Sequence, residues 1–408
     1  MFRRRTGPRN CRHLPPGRNV VSPTAPNCMR RPIPHRKLTT SSVINSASPA
    51  PCYKNKMPLR HYLFLAAISV PIFAQRPAAP ATTPAASAAS PTTASADAPR
   101  RDYAADIVMK TLSVQKFHSQ LDELAEIDEI RYTSLPPHKP TNPTAPGAKN
   151  PLIINALTFI PKKLDRTKKQ PFLVFAHQGI HSNFGADYEF SAVKEMLQQG
   201  YSVIAPDYRG STGHGQRLYD EIDYGGSEVE DVFAARAWML ENYSFLDEKR
   251  VGIIGWSHGG MITLMNILLH PGAYAAAYAG VPVTDLVLRL GYHDASYQAT
   301  FSATTHIGKS VQADIQEYLK RSPITYAEKL ETPLLIHGNT NDEDVNVIEI
   351  QRFVATLKAA GKKFESKIYE NAPGGHEFGR LDTKIARESR HDVYKFLANY
   401  LKPERPVI

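Results

Sequence analysis

The chain has 408 residues, 42% of them hydrophobic and 22% charged, which is ample for a buried core and excludes a wholly disordered protein. Its net charge of +10 is unevenly spread: residues 1–96 carry fourteen Lys/Arg and no Asp or Glu, leaving 35 basic against 39 acidic residues, or −4, over 97–408. The body is mildly acidic, so a general basic surface for DNA or RNA is not supported and no nucleic-acid partner is expected. All three cysteines, Cys11, Cys28 and Cys52, precede Met57. The body therefore has no disulfide, thiolate metal site or cysteine nucleophile, a composition that suits an oxidising compartment.

Residues 1–56 are rich in Arg, Pro and Ser with little apolar periodicity. They read as a basic disordered extension lying upstream of a true start at Met57, with an organelle transit segment as the alternative. Residues 57–75, MPLRHYLFLAAISVPIFAQ, have the layout of a secretory signal peptide: Arg60, an apolar run over 62–74, and small Ala74 at a cleavage point. That run is shorter than the roughly 20 residues a bilayer requires and Pro71 interrupts it, so a short anchor is the weaker reading. Export to the periplasm or the exterior is expected, with membrane contact only transient. Residues 76–100 form an Ala/Pro/Thr/Ser tract that cannot offset its ordering entropy and reads as a tether. One α/β domain is expected over 101–408.

Within that domain strands and helices alternate. A weak helical pattern covers 103–124, followed by strands at 128–134 and 152–160 and a short buried strand at 171–176. A helix over 187–199 stops at Gly200, and 201–206 is a strand. The helix at 228–242 places Val229, Val232, Phe233, Ala237 and Leu240 on one stripe. A strand at 251–256 leads directly into a helix at 258–269, stopped by Pro271. Strands at 273–280, 333–337 and 364–369 complete the set, with helices at 346–359 and 386–401. Val347, Ile350, Val354 and Leu357 face inward on the first of these helices. Short buried strands alternating with helices imply a mostly parallel sheet covered on both faces. No internal repeat is present, which excludes a propeller or solenoid.

The chemistry lies at strand ends. Gly255-Trp256-Ser257-His258-Gly259, with Gly260 after it, sits between a strand and a helix. That is the strand–turn–helix setting in which a GxSxG serine becomes exposed on a strained turn. The glycines leave room where a Cβ would clash, and the N–H of His258 at the helix start can bind an oxyanion. A serine needs a base and an acid, which follow it in chain order in this arrangement. His337 lies within a strand and His391 on a helix, whereas His376 lies in the loop ENAPGGHEF after the strand at 364–369, making it the general base. The acid belongs to HGNTNDEDVN (337–346), where Asp342 and Asp344 compete. The plainer reading of that loop, including Asn339 and Asn341, is a solvated turn into the next helix. A calcium loop is disfavoured because its central Gly and terminal Glu are missing. No metal and no cofactor are expected.

GWSHGG, DYRGSTGHG (207–215), SPITYAEKLETPLLIHG (322–338) and PGGHEF (373–378) resemble the catalytic domain of the prolyl oligopeptidase family of serine peptidases over about residues 128–402. The resemblance implies an α/β-hydrolase fold with Ser257, Asp342 and His376 as the triad. In that family the acid stands three residues before a valine, which selects Asp342, before Val345, over Asp344. A second oxyanion donor would come from the loop after 171–176, at His177 in His177-Gln178-Gly179. Many members carry an N-terminal β-propeller that filters substrates by size. The stretch from the tether to the strand at 152, about fifty residues, is too short for several four-stranded blades, so size filtering is not expected to transfer.

The expected function is a serine hydrolase that cleaves peptide bonds through an acyl-enzyme, acting on a peptide or small acyl substrate. A carboxylesterase on the same scaffold is the first alternative and a non-catalytic binding protein the second. Segment 285–331 is inserted between two strands. Its Tyr292, Tyr297 and Phe301 are placed either to roof the substrate pocket or to pack as ordinary helix residues. Oligomeric state is not specified by the sequence.

Overall fold

The computed structural model describes residues 101–407, which all fall within one compact unit. The basic extension, the expected signal peptide and the tether lie outside the described residues. Among the described residues, no helix is long and apolar enough to cross a membrane.

Eight strands make the central sheet: β1 (Ala125–Thr133), β2 (Ile153–Pro161), β3 (Gln170–Ala176), β4 (Ser202–Asp207), β5 (Leu246–Trp256), β6 (Ala276–Gly280), β7 (Leu334–Asn339) and β8 (Glu365–Tyr369). Their spatial order is β1-β2-β4-β3-β5-β6-β7-β8. β1 pairs antiparallel with β2 and β2 with β4, while β4 through β8 run parallel. Every residue of β3 and β4 is buried, as a parallel strand covered on both faces requires.

Ten α-helices accompany the strands among the described residues. Before the insertion come α1 (Tyr103–Leu121), α2 (Phe190–Gln199), α3 (Gln216–Tyr219), α4 (Ser227–Asn242) and α5 (His258–Leu269). The insertion holds α6 (Leu286–Tyr292), α7 (Ala295–Ser302) and α8 (Ile315–Lys320), and the chain closes with α9 (Val347–Ala359) and α10 (Lys384–Leu401). Two hydrophobic clusters fill the space on either side of the sheet. Phe172, Val174 and Ala176 of β3 meet α4, α5 and α9 on one face. Leu173 and Phe175, pointing the other way, meet α1, α2 and α10. Alternation along a single strand thus assigns each side chain to one core. The mostly parallel sheet with helices on both faces is as the sequence implied, with an antiparallel start at β1 and β2.

Local chemistry ends α2 where the sequence placed its end, whereas α1 stops at Leu121, short of the expected 124, because β1 begins at Ala125. Gly200, at φ 95°, closes α2, and its N–H donates to the carbonyls of Met196 and Leu197. Helix α5 is buried almost all round, because it lies between the sheet and α4. In α4 the stripe differs from the sequence expectation. Val229, Val232, Ala235 and Met239 are buried, Phe233 and Leu240 only partly so, and Ala237 is exposed. The helix is rotated because two of its acids, Glu228 and Asp231, are also buried. Asp231 takes the fully buried Arg209 through Nε and Nη2, each at 2.8 Å. Glu228 accepts from the N–H groups of Gly225 and Gly226.

The helices α6, α7 and α8 are short, and each starts on an aspartate: Asp285, Asp294 and Asp314 accept hydrogen bonds from first-turn N–H groups. The sequence analysis delimited no helix within this insertion, because these helices are too short to show an apolar period.

Candidate active site

Loops at the carboxyl ends of β5, β7 and β8 carry the candidate residues. β5 ends at Trp256 and α5 begins at His258, so Ser257 alone turns the chain. Its backbone lies at φ 56°, ψ −122°, a conformation that residues with a Cβ rarely adopt. The surroundings hold it there. The Ser257 N–H donates to the Gly280 carbonyl at 2.9 Å, and its own carbonyl accepts from the Met261 N–H at 3.0 Å. A Cβ on Gly259 would stand 2.5 Å from the His177 carbonyl oxygen, and one on Gly255 would meet the Gly259 main chain. Glycine at both places is what allows β3, β5 and α5 to meet. The N–H of His258, first in α5, has no acceptor within the helix.

His376 follows two glycines in left-handed conformation, Gly374 at φ 97° and Gly375 at φ 53°. Its Nδ1–H donates to Asp342 Oδ2 at 2.8 Å. The other oxygen of Asp342 accepts from the N–H groups of Asp344 (2.9 Å) and Val345 (2.8 Å). Three donors therefore fix a carboxylate whose side chain is buried, and they leave it one orientation. His376 is itself 8% exposed, and its Nε2 has no hydrogen-bond partner. Asp344 lies on the opposite side of the ring. Its Oδ1 accepts from Arg289 Nη2 at 2.7 Å, and its Oδ2 stands 3.5 Å from His376 Nε2. The structure thus brings Asp342 onto Nδ1 and Asp344 near Nε2.

Asn339, read from sequence as part of a solvated turn, is fully buried as the last residue of β7. Its Nδ2 donates to the carbonyls of Ala372 (3.1 Å) and Gly375 (2.8 Å), and its Oδ1 accepts from the Ala372 N–H at 3.0 Å. It ties the histidine loop to the neighbouring strand. No sequence signal separated it from the exposed Asn341 two residues on. His337 is buried as core, with Nδ1 2.9 Å from Ser389 Oγ. Burial pushes its pKa down to about 3.

The loop after β3 is braced from below. The Tyr208 hydroxyl donates to the carbonyls of His177 (3.0 Å) and Gly179 (2.9 Å). The His177 ring is buried against Tyr208 and pairs with Ser211 Oγ through Nε2 and with the Gln178 carbonyl through Nδ1, each at 2.8 Å. Burial lowers its pKa to about 4. With both ring nitrogens engaged, the His177 side chain has no donor left for a substrate. The DYRG motif is accordingly a support for this loop.

The inserted segment reaches the elbow through aromatic contacts. The His258 ring stacks on Tyr224, with centroids 5.3 Å apart, and Tyr224 packs on the buried Phe301 at 4.5 Å. Tyr297 accepts from Arg289 Nε at 2.7 Å, and the Tyr292 hydroxyl hydrogen-bonds Glu349. Phe301 therefore packs beside the elbow, while Tyr292 and Tyr297 build the arginine's surroundings. Among the described residues no cluster of three or more His, Cys, Asp or Glu is placed to hold a metal ion.

Comparison with known proteins supplies the remaining context. Acylaminoacyl peptidase in complex with Z-Gly-Gly-Phe-chloromethyl ketone superposes with a TM-score of 0.53 at 20% identity, over 70% of this chain and 42% of that one. A puromycin-hydrolysing peptidase of Mycobacterium tuberculosis gives 0.55 at 21% identity, over 67% and 40%. Both share the fold. An uncharacterised peptidase of Bacillus subtilis, YuxL, is 27% identical over 231 residues, 56% of this chain and 34% of that protein. Acylamino-acid-releasing enzyme 1 of rice (Oryza sativa subsp. japonica) is 28% identical over 263 residues, 62% and 33%. Human dipeptidyl peptidase 8 is 28% identical over 223 residues, 52% and 24%. The chain thus spans about a third or less of the length of these curated relatives. The model of the prolyl oligopeptidase family matches residues 188–404. That span is more than half of the chain and contains the strained elbow, the Asp342–His376 pair and the strands that carry them, and so this chain belongs to the prolyl oligopeptidase family.

Proposed function

We propose that this chain is a serine peptidase that cleaves peptide bonds through an acyl-enzyme. The observations that carry the reading are the strained backbone of a serine at a strand–helix elbow and a buried histidine whose Nε2 has no hydrogen-bond partner. That histidine is oriented through Nδ1 by a fully engaged aspartate at 2.8 Å. In the proposed reaction Ser257 Oγ attacks the scissile carbonyl carbon while His376 Nε2 accepts the hydroxyl proton. Asp342 keeps Nδ1 protonated and stabilises the imidazolium. The tetrahedral oxyanion is held by the His258 N–H and a main-chain N–H from the loop at His177. His376 then returns the proton to the leaving amine, and water repeats the sequence on the acyl-enzyme. The names of the relatives, acylamino-acid-releasing enzyme and dipeptidyl peptidase among them, support peptide substrates.

The test is stoichiometric labelling with a fluorophosphonate together with turnover of chromogenic peptide amides and acyl esters. Ser257→Ala is expected to abolish labelling and to lower hydrolysis at least about a thousandfold with the fold retained. Residual activity within tenfold of the parent would remove Ser257 from the mechanism. Ester turnover without amide turnover would make the protein a carboxylesterase instead, and absence of labelling in the parent would leave a binding protein on this fold.

A further inference from the structure

The loop after β7 carries a second carboxylate for which the acyl-enzyme scheme has no task. Asp344 is 44% exposed at the side chain, and its Oδ2 lies 3.5 Å from the unpartnered Nε2 of the buried His376. Nε2 is the atom through which the serine and leaving-group protons must pass, so a substrate group that reaches Oδ2 is beside the reacting bond.

The carboxylate is held rigidly. Arg289 Nη2 donates to Asp344 Oδ1 at 2.7 Å, and Nη1 of the same arginine donates to the Asp344 main-chain carbonyl at 3.0 Å. Side chain and backbone are thus pinned by one guanidinium, leaving Oδ2 free and aimed at the site. Nor does that guanidinium cancel the acidic charge. Arg289 Nη1 also donates to Glu349 Oε1 at 3.2 Å, and Glu349 is fully buried. The other partners of Arg289 are the hydroxyls of Tyr292 and Tyr297, which bring no charge. Arg289 is therefore shared between two acidic groups, Asp344 and Glu349, while Asp342 is bound to His376 Nδ1. Asp342 is spent on three donors and Glu349 is enclosed. Of these three acids only Asp344 has a side chain open to solvent.

We infer that Asp344 is a specificity-determining residue that favours substrates with a positive charge beside the scissile bond, either a free α-amino group or a Lys/Arg side chain. The inference rests on the peptidase reading of Ser257 and His376 and names the substrate class for that site. A cation at Oδ2 gains a charge-assisted hydrogen bond at a wall where half of the surrounding solvent is already excluded, which strengthens the attraction relative to bulk water.

The experiment uses two matched pairs of chromogenic amides. One pair differs only in a free or acetylated α-amino group. The other, with blocked amino termini, has lysine or norleucine on the acyl side of the scissile bond. In the parent the cationic member of at least one pair is expected to have a kcat/KM about tenfold higher, the size of one charge pair at a half-exposed site. Whichever pair shows the gap identifies the source of the charge. In Asp344→Asn, which keeps an acceptor for Arg289, the ratio should fall to near one, and in Asp344→Lys it should invert. A ratio near one in the parent for both pairs, or a ratio that Asp344→Asn leaves intact, overturns the inference. Fluorophosphonate titration of each protein separates the two levels of the argument. A parent that labels fully and shows flat ratios refutes Asp344 alone, whereas a parent that does not label refutes the peptidase reading on which it stands.

Discussion

The elbow at residues 255–260 and the acid loop at 337–346 both place a catalytic candidate at the end of a parallel strand, yet they do so by different means. At the elbow, geometry is imposed by close contact of main chain with main chain. Glycines at 255 and 259 permit the approach, and Ser257 between them is held at φ 56° by its main-chain bonds to Gly280 and Met261. In the acid loop, geometry is imposed by hydrogen bonds between groups far apart in the chain: Asp342 with His376, Asp344 with Arg289, Asn339 with Ala372 and Gly375. The first kind of constraint is written in a short motif. The second depends on which side chains the rest of the fold delivers. The elbow should accordingly break when volume is added, and the acid loop when a donor or charge is removed.

The largest effect belongs to the acid loop. Asp342→Asn should lower kcat by about ten-thousandfold, because an amide facing Nδ1 no longer favours the tautomer that leaves Nε2 free to accept a proton. Asp344→Asn should cost at most about tenfold, on cationic substrates, since its effect is one of charge. Steady-state kinetics on one peptide amide ranks the two. The reverse order would move the orienting acid to Asp344 and erase the distinction drawn between the two carboxylates.

Next comes the elbow. Gly259→Ala puts a methyl group against the carbonyls of Ala176 and His177, and neither can retreat without moving β3. A loss of about 3 kcal/mol is expected, at the upper end for overpacking, measured as a drop in urea midpoint at constant slope. A change under about 0.5 kcal/mol would show that the close approach is not what the glycine provides.

The smallest effect is a slope with pH and tests burial beneath the acid loop. His337, on β7, is held near pKa 3 by burial, against about 6.5 when unfolded. The unfolded chain therefore binds the extra proton between those values, and stability falls as pH drops below 6.5, by about 1.4 kcal/mol per unit from this group alone. His177, near 4, acts in the same direction over a narrower window. His337→Gln should flatten the slope of unfolding free energy between pH 6 and 4. An unchanged slope would mean that His337 is not the buried neutral group described.

What the sequence made legible follows the same division. The order of the strands and the elbow were readable because each depends on neighbours in the chain: apolar runs, glycine spacing, a helix stop. The stripe of α4 was misread because Glu228 and Asp231 turn inward to meet Gly225, Gly226 and Arg209, and buried acids are invisible to a hydrophobic pattern. Asn339 was placed in solvent for a similar reason. Its partners, Ala372 and Gly375, lie more than thirty residues away. His177 was located correctly in its loop, but the inward turn of its ring depends on Ser211 and Tyr208 and could not be read from three residues of local sequence.

One feature of the sheet bears on how activity and folding part company. β8 is the last strand in the spatial order, and its first three residues, Glu365, Ser366 and Lys367, are exposed. The loop that presents His376 hangs from this margin, while Ser257 hangs from the buried second half of β5, residues 251–256. Backbone with exposed hydrogen bonds and few buried apolar contacts opens in hydrogen exchange at free energies below that of global unfolding. The proposed base and nucleophile therefore hang from strands of unequal exposure, with Asn339 among the residues of β7 and its following loop that tie the histidine loop inward. Excursions of the margin would switch the site off while the scaffold stays folded, so that enzyme activity fades at lower denaturant than tertiary structure does.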